Sequence, residues 1–226
     1  MTRTWRALGA LLSYPTEELQ GATGEIAAAL ADEGIVPAPA RAAIGALLVE
    51  LAATDIYELQ ERYFALFDRS RSLSLHLFEH VHGESRDRGQ AMADLIALYA
   101  SHGLEMTAGE LPDFLPLFLE FLSLLPGSEA CAMLAEPAGV LRALADRLAA
   151  RDTSYASIMA ALAELAQAPR VGTSAILDED PNDLAALDAT WEEAAVRFGP
   201  AAMADGCGTD RLRTRLRAAA RDATAA

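Results

Sequence analysis

Glu110-Leu111-Pro112-Asp113-Phe114-Leu115-Pro116-Leu117-Phe118-Leu119-Glu120-Phe121-Leu122-Ser123 closes a stretch that opens at Tyr63-Phe64-Ala65-Leu66-Phe67-Asp68. Leu111, Leu115, Phe118, Leu119, Leu122 and Leu125 follow the i, i+4, i+7, i+8, i+11 spacing of one helix face, and Pro126-Gly127 ends the pattern. Aromatics and acids also alternate here, which a core helix does not require. Two readings compete. In one, the stretch is two amphipathic helices joined by a polar loop, and Phe114, Phe118 and Phe121 are core. In the other it is a surface for an apolar, positively charged peptide. Aromatic area then holds the apolar anchors, and Asp113 and Glu120 meet the charged end.

The same helical period runs outward in both directions. Trp5, Leu8, Leu11 and Leu12 mark a first helix that Tyr14-Pro15 stops. Thr16 is the expected cap of a second, with Leu19, Ile26 and Leu30 inside and Gly34 past its end. A third starts near Pro39 or Ala40 and uses Ile44, Leu47, Leu48 and Leu51; Thr54 or Asp55 caps a fourth carrying Leu59, Tyr63, Leu66 and Phe67. Residues 68–84 lose the period. Ser85 is the expected cap of a helix with Met92, Leu95, Ile96 and Tyr99 inside, ending near His102-Gly103. Further helices are expected over roughly 128–150, interrupted at Pro137, and 154–167. No repeat and no strand-period segment long enough for a sheet is present, so the chain reads as all-α. Ala and Leu dominate and β-branched residues are sparse, which agrees.

Beyond Pro169 the composition changes. Val171 to Val196 contains no basic residue but holds Asp178, Glu179, Asp180, Asp183, Asp188, Glu192 and Glu193. The end of the chain reverses sign with Arg211, Arg213, Arg215, Arg217 and Arg221. Such blocks read as solvated or flexible segments. A tail that folds back on an acidic region is the alternative.

The formal net charge of −15 argues against a nucleic-acid backbone as partner and suits a cationic one. Cys131 and Cys207 are too few and too far apart for a zinc pattern or a disulfide framework, so a reduced, cytoplasmic protein is expected. The N-terminus matches neither a secretory nor a twin-arginine signal. Leu111 to Leu125 is broken by Pro112, Asp113, Pro116 and Glu120 and falls short of the ~20 apolar residues of a membrane span.

His76, His80 and His82, beside Glu79 and Glu84, suggest a metal site. At ~100° per residue His76 and His80 are only ~40° apart, but His82 lies ~160° beyond His80, so one helix does not aim all three at one ion. A loop ordering a polar network is the favoured reading, with no metal and no cofactor. Ser72, Ser74 and Ser85 lack a Gly-x-Ser-x-Gly turn, and neither a phosphate-binding glycine loop nor a dinucleotide fingerprint is present. No enzyme is expected.

Three blocks carry a family resemblance. Leu66-Phe67-Asp68-Arg69 with Ser72-Leu73-Ser74-Leu75-His76-Leu77-Phe78-Glu79-His80-Val81-His82-Gly83-Glu84-Ser85-Arg86-Asp87-Arg88-Gly89-Gln90-Ala91-Met92 is the most specific. Glu110-Leu111-Pro112-Asp113-Phe114-Leu115-Pro116 with Leu119-Glu120-Phe121-Leu122 is the second, and Leu11-Leu12-Ser13-Tyr14-Pro15 a weaker third. These resemble the delta-subunit chaperones of respiratory nitrate reductase, within the broader redox-enzyme maturation, twin-arginine signal-binding group. The likeness is strong over residues 5–125 and loose beyond Pro169, where Asp188, Trp191 and Glu192 are the most suggestive.

The resemblance implies a single-domain helical bundle, expected over 1–170; the change in composition marks 171–226 as an acidic then Arg-rich segment, expected to be partly disordered. It implies a cytoplasmic chaperone, not an enzyme and with no bound cofactor. The implied partner is the N-terminal segment of the nitrate reductase alpha subunit, held while molybdenum cofactor is inserted and before membrane attachment. Contact with molybdenum cofactor biosynthesis proteins fits the same role. The implied peptide-binding residues are Leu66, Phe67, His76, Phe78, Glu79, His82, Pro112, Asp113, Phe114, Glu120 and Phe121. The loop with Gly109, Pro112 and Pro116 is expected to hinge a groove open. Pro112→Ala or Asp113→Ala is then expected to weaken binding without unfolding.

Overall fold

Thr16 and Asp55 cap helices as their sequence contexts predict: Thr16 Oγ1 accepts from the Leu19 N–H at 3.1 Å, and Asp55 Oδ1 from the Tyr57 N–H at 2.9 Å. The computed structural model describes residues 2–69, 71–82, 87–106 and 109–168, without the side chain of His82. The readings of Glu84, of Ser85 as a cap and of everything from 169 onward, the acidic and Arg-rich blocks included, lie outside the described residues.

Among these residues the helices are α1 (Arg3–Leu11), α2 (Glu17–Gly21), α3 (Thr23–Glu33), α4 (Ala38–Ala53), α5 (Ile56–Tyr63) and α6 (Leu77–His82). Then come α7 (Asp87–Ser101), α8 (Leu115–Leu122), α9 (Gly127–Leu134), α10 (Ala138–Ala150) and α11 (Ala156–Leu165). A π-turn, Phe64–Asp68, extends α5, and a 3₁₀ turn, Arg71–Leu73, follows it. The described chain is all-helical, with one isolated bridge between His76 and Phe114.

Two helices differ from the sequence reading. The second breaks at Ala22 into α2 and α3. Gln20 explains the break: its side-chain amide donates to the carbonyls of Leu51 and Thr54, both at 2.8 Å, and its own carbonyl accepts from Thr23 Oγ1 at 2.9 Å. The apolar stretch at 111–125 becomes helical only at Leu115, with Pro116 in its first turn. Leu111, at the head of the periodic face, is 47% exposed. Pro112 and Asp113 prevent the earlier start, because the Asp113 carbonyl is committed to the Leu77 N–H at 3.0 Å.

α10 pairs with α11, α4 packs on α3 and α11, and α1 lies between α3 and α8. Trp5, Leu8 and Leu11 of α1, Leu115, Leu119 and Leu122 of α8, Leu141, Leu144 and Leu148 of α10, and Ile158, Met159 and Leu162 of α11 fill one continuous core. Full burial of each such side chain contributes about 1.5–3 kcal/mol.

α1 and α8 run antiparallel: the Thr2 N–H donates to the Ser123 carbonyl at 3.0 Å, while Gly9 lies against Pro116. A Cβ on Gly9 would sit 3.0 Å from the Pro116 carbonyl oxygen, so glycine permits this approach. α1 has no side-chain N-cap of its own. Glu33, at the end of α3, supplies one, its two oxygens accepting from the N–H groups of Arg3 and Thr4 at 2.8 Å each. Burial raises the Glu33 pKa, but the bonds from Thr4 and Arg3 outweigh it and hold the carboxyl below its ordinary value.

Candidate functional site: an acid-rimmed groove beside the α1–α8 crossing

Small residues make the floor of the site. Where α1 crosses α8, Gly9, Ala10 and Pro116 leave a recess of about 880 Å³. Phe114, Leu117, Leu104, Met106 and Tyr14 give it apolar walls. Asp68, Glu105, Glu110 and Glu120, all exposed, give it carboxylates; Arg6 is the cation among the lining residues described. The site therefore offers apolar area and an excess of negative charge in one concavity, the combination that suits a basic amphipathic peptide.

Each wall is held from behind. Tyr63 is buried and donates its hydroxyl to the Leu12 carbonyl at 2.8 Å, fixing the end of α1 against α5. Burial, with the Asp68 charge adding, pushes its phenol pKa up, so it stays a donor. Its ring meets Tyr14 edge-on at 5.5 Å on the groove side and Phe67 at 4.9 Å on the inner side. On the opposite wall, the segment before α6 pairs with the segment before α8. The Leu115 N–H donates to the Leu75 carbonyl at 2.9 Å, and the Leu77 N–H to the Asp113 carbonyl at 3.0 Å.

Asp113 is the buried anchor of that wall, with no solvent exposure. Its Oδ2 accepts from the Phe78 N–H at 3.0 Å, and its Oδ1 lies 3.2 Å from His76 Nδ1. The Tyr99 hydroxyl donates to the Pro112 carbonyl at 2.8 Å. His76 and Phe114 are thereby set side by side, ring centroids 5.3 Å apart, on the groove.

Of the residues that the sequence nominates, His76, Phe114 and Glu120 line this groove. Leu66 faces a second recess, of about 380 Å³, with Leu47, Leu51 and Tyr155. Phe78 faces a smaller apolar cavity of about 200 Å³ with Leu95, Phe118 and Val140. Phe67, Pro112, Asp113 and Phe121 are interior, and Phe118, the middle aromatic of the run, is 5% exposed. Glu79 pairs with Arg88 at 3.4 Å. His82 closes α6, and its side chain is outside the described residues. In this conformation none of these interior residues lines the groove; Pro112 and Asp113 brace its wall. Pro112 and Asp113, which belong to the loop expected to hinge, are held in this conformation by bonds from Tyr99, Leu77, Phe78 and His76.

Sequence reasoning did not nominate Arg6, Gly9, Tyr14, Asp68, Glu105, Met106, Glu110 or Leu117 as contact residues. Asp68 and Glu110 stand within the blocks that carried the resemblance, where their sign was a usable signal. Tyr14 stands in the weaker third block, whereas Gly9 and Met106 are joined to the site only by folding.

Among the described side chains, His76 and His80 turn to different partners. His80 Nε2 donates to the Ser74 carbonyl at 2.8 Å, whereas His76 turns to Asp113. Among the described residues no group of three or more His, Cys, Asp or Glu side chains is placed to hold a metal ion. The two rings are biased in opposite senses. The side-chain bond with Asp113 holds the His76 pKa above its ordinary value; the Asp113 and Glu79 charges add, while burial and Arg88 oppose. Burial pushes the His80 pKa down, with Arg147 adding and Ser74, Glu79 and Asp113 opposing.

A distinct pH profile is expected from this pair. The His76 contribution to stability is full below its unfolded pKa of ~6.5 and is lost as pH rises through its higher folded value. The His80 contribution is full above ~6.5 and is lost as pH falls through its lower folded value. In urea unfolding between pH 5 and 8.5, His76→Gln should therefore flatten the alkaline loss and His80→Gln the acid loss. Profiles parallel to that of the parent for both variants would show that neither ring is coupled to folding.

The described residues contain no helix long and apolar enough to cross a membrane. A solved chain from Archaeoglobus fulgidus, described as a candidate redox enzyme maturation protein, superposes with a TM-score of 0.55 at 22% identity, covering 74% of this chain and 94% of its own. That likeness establishes the fold. The nitrate reductase molybdenum cofactor assembly chaperone NarJ of Escherichia coli strain K12 is 45% identical over 204 residues, 88% of this chain and 84% of its own length. The probable nitrate reductase molybdenum cofactor assembly chaperone NarW of the same strain is 44% identical over 147 residues, 63% of this chain and 64% of its own. The family model described as nitrate reductase delta subunit matches residues 17–161, which span α2 to α11 and hold most of the groove. On these grounds the chain belongs to the nitrate reductase delta subunit family.

Proposed function

We propose that this chain is a system-specific cytoplasmic assembly chaperone with no catalytic chemistry. It binds the N-terminal segment of the nitrate reductase alpha subunit in the groove beside the α1–α8 crossing. It supports molybdenum cofactor insertion into that subunit before membrane attachment. The names of its relatives support the chaperone role. The observation that carries the binding mode is the groove itself: Phe114, Leu117, Leu104 and Met106 beside Asp68, Glu105, Glu110 and Glu120. Apolar contact with these walls supplies most of the affinity, because exposed ion pairs are worth little. The exposed carboxylates add roughly 0.2–1 kcal/mol per ion pair and favour the basic end of the peptide.

The test is titration calorimetry against a peptide of the first few tens of residues of the alpha subunit. A control peptide has its Arg and Lys residues neutralised. The parent peptide should bind at least about tenfold more tightly than the control at low salt, which corresponds to roughly 1.4 kcal/mol. Protonating His76 reduces the negative field of the groove, so affinity should also fall from pH 8 to pH 6. No binding of the parent peptide would remove the proposal.

A further inference from the structure

The groove asks for a basic segment with apolar anchors, and this chain carries one of its own. Arg211-Leu212-Arg213-Thr214-Arg215-Leu216-Arg217 leads into Ala218-Ala219-Ala220-Arg221. In a chain of net charge −15 these five arginines are the densest positive run. We propose that residues 211–221 occupy the acid-rimmed groove of the same molecule as an internal competitor, which the client must displace. The inference deepens the chaperone proposal and rests on it.

Three observations carry it. The first is charge: Asp68, Glu105, Glu110 and Glu120 face the recess, and Arg6 is the cation among the described lining residues. The second is apolar spacing. Leu212 and Leu216 are four apart, so a helix would present them on one face with arginines on either side. The acidic run from Asp178 to Glu193 competes for the same arginines and carries Leu184, Leu187 and Trp191 of its own. The groove offers Phe114, Leu117 and Leu104 beside its four carboxylates, and the cross-linking arm below separates the two partners.

The third observation is reach. The chain continues from Ala168, the last described residue, to Arg211. As a coil, a connection of about 40 residues spans roughly 35 Å, comparable with the width of a domain this size. A tether of that kind gives an effective concentration on the order of 1 mM. A tail with an intrinsic dissociation constant of a few tenths of a millimolar would then fill most grooves and reduce client affinity several-fold. Weak intramolecular contacts thus suffice to exclude weak, unintended basic segments, while a client with better apolar anchors displaces the tail.

The experiment uses the full chain and a full-length variant with Arg211, Arg213, Arg215, Arg217 and Arg221 all replaced by Gln. Both are titrated with the fluorescently labelled N-terminal peptide of the alpha subunit. The variant should bind about three- to tenfold more tightly at low salt, and the gap should close in 0.5 M salt, where the screening length falls to a few ångströms. Equal affinities would overturn the inference and leave the chaperone proposal standing. Failure of both proteins to bind would strike the chaperone proposal.

A second arm needs no client. Leu117→benzoylphenylalanine in the full chain, irradiated alone, should cross-link within one molecule to residues 209–221, and the five substitutions should abolish the link. Links only to residues 178–193, links only between two molecules, or none at all would overturn the inference.

Discussion

Asp113→Ala should cost about 3 kcal/mol of folding stability, the range reached when a buried polar group leaves its partners unsatisfied. The carboxyl is wholly buried, accepts from the Phe78 N–H at 3.0 Å and faces His76 Nδ1 at 3.2 Å. Alanine removes both interactions, loosens the start of α6 and leaves a small void beneath the groove wall. Asp113→Asn retains an acceptor of the same shape for Phe78 but loses the charge opposite His76, so about half of that cost is expected. Urea unfolding at pH 7 separates the outcomes. An alanine variant within about 0.5 kcal/mol of the parent would show that the anchor is not needed. This result would replace the sequence expectation that Asp113→Ala weakens binding with the fold intact. The carboxylate that the sequence nominates as a contact is, in this structure, a buried bracket for the groove wall.

The second large effect is on binding with the fold unchanged. Asp68, Glu110 and Glu120 are exposed on the groove. Reversing all three, as Asp68→Lys, Glu110→Lys and Glu120→Lys together, exchanges three weak attractions for three weak repulsions. At roughly 0.2–0.5 kcal/mol, the low end for exposed pairs, for each attraction lost and each repulsion gained, affinity for the alpha-subunit peptide should fall about 10- to 100-fold at low salt. The loss should shrink markedly by 0.5 M salt, because exposed charges are screened. Thermal stability should change little, since none of the three carboxylates is buried. Undiminished affinity in the triple variant would mean that the client binds elsewhere, and the recess lined by Leu66 and Tyr155 would be the next surface to test.

Helix content, order and most boundaries were legible in the sequence because they depend on local chemistry. Thr16 and Asp55 cap where a side-chain oxygen can reach a free N–H, and Gly34 ends α3 at a φ of 62° that glycine adopts without strain. The break at Ala22 was not legible, because Gln20 makes it through carbonyls of residues 51 and 54. Nor was the capping of α1 by Glu33, about thirty positions away. The aromatic run shows the same limit. Helical spacing treats Phe114, Phe118 and Phe121 alike, yet Phe118 and Phe121 are core while Phe114 caps α8 in extended backbone and stands half-buried on the groove. Pro116 held the clue, since it places the helix start just after Phe114.

By itself the sequence determined an all-helical chain and a family, because periodicity, caps and a dense block of matching residues are properties of neighbours along the chain. Which acids and aromatics share one concavity was decided only by tertiary structure. The groove exists because Gly9 lets α1 press on α8 at Pro116, and because Asp113 ties the segment before α6 to the one before α8. Each of those contacts joins residues far apart in sequence, and a surface assembled from such contacts has no local periodicity to announce it.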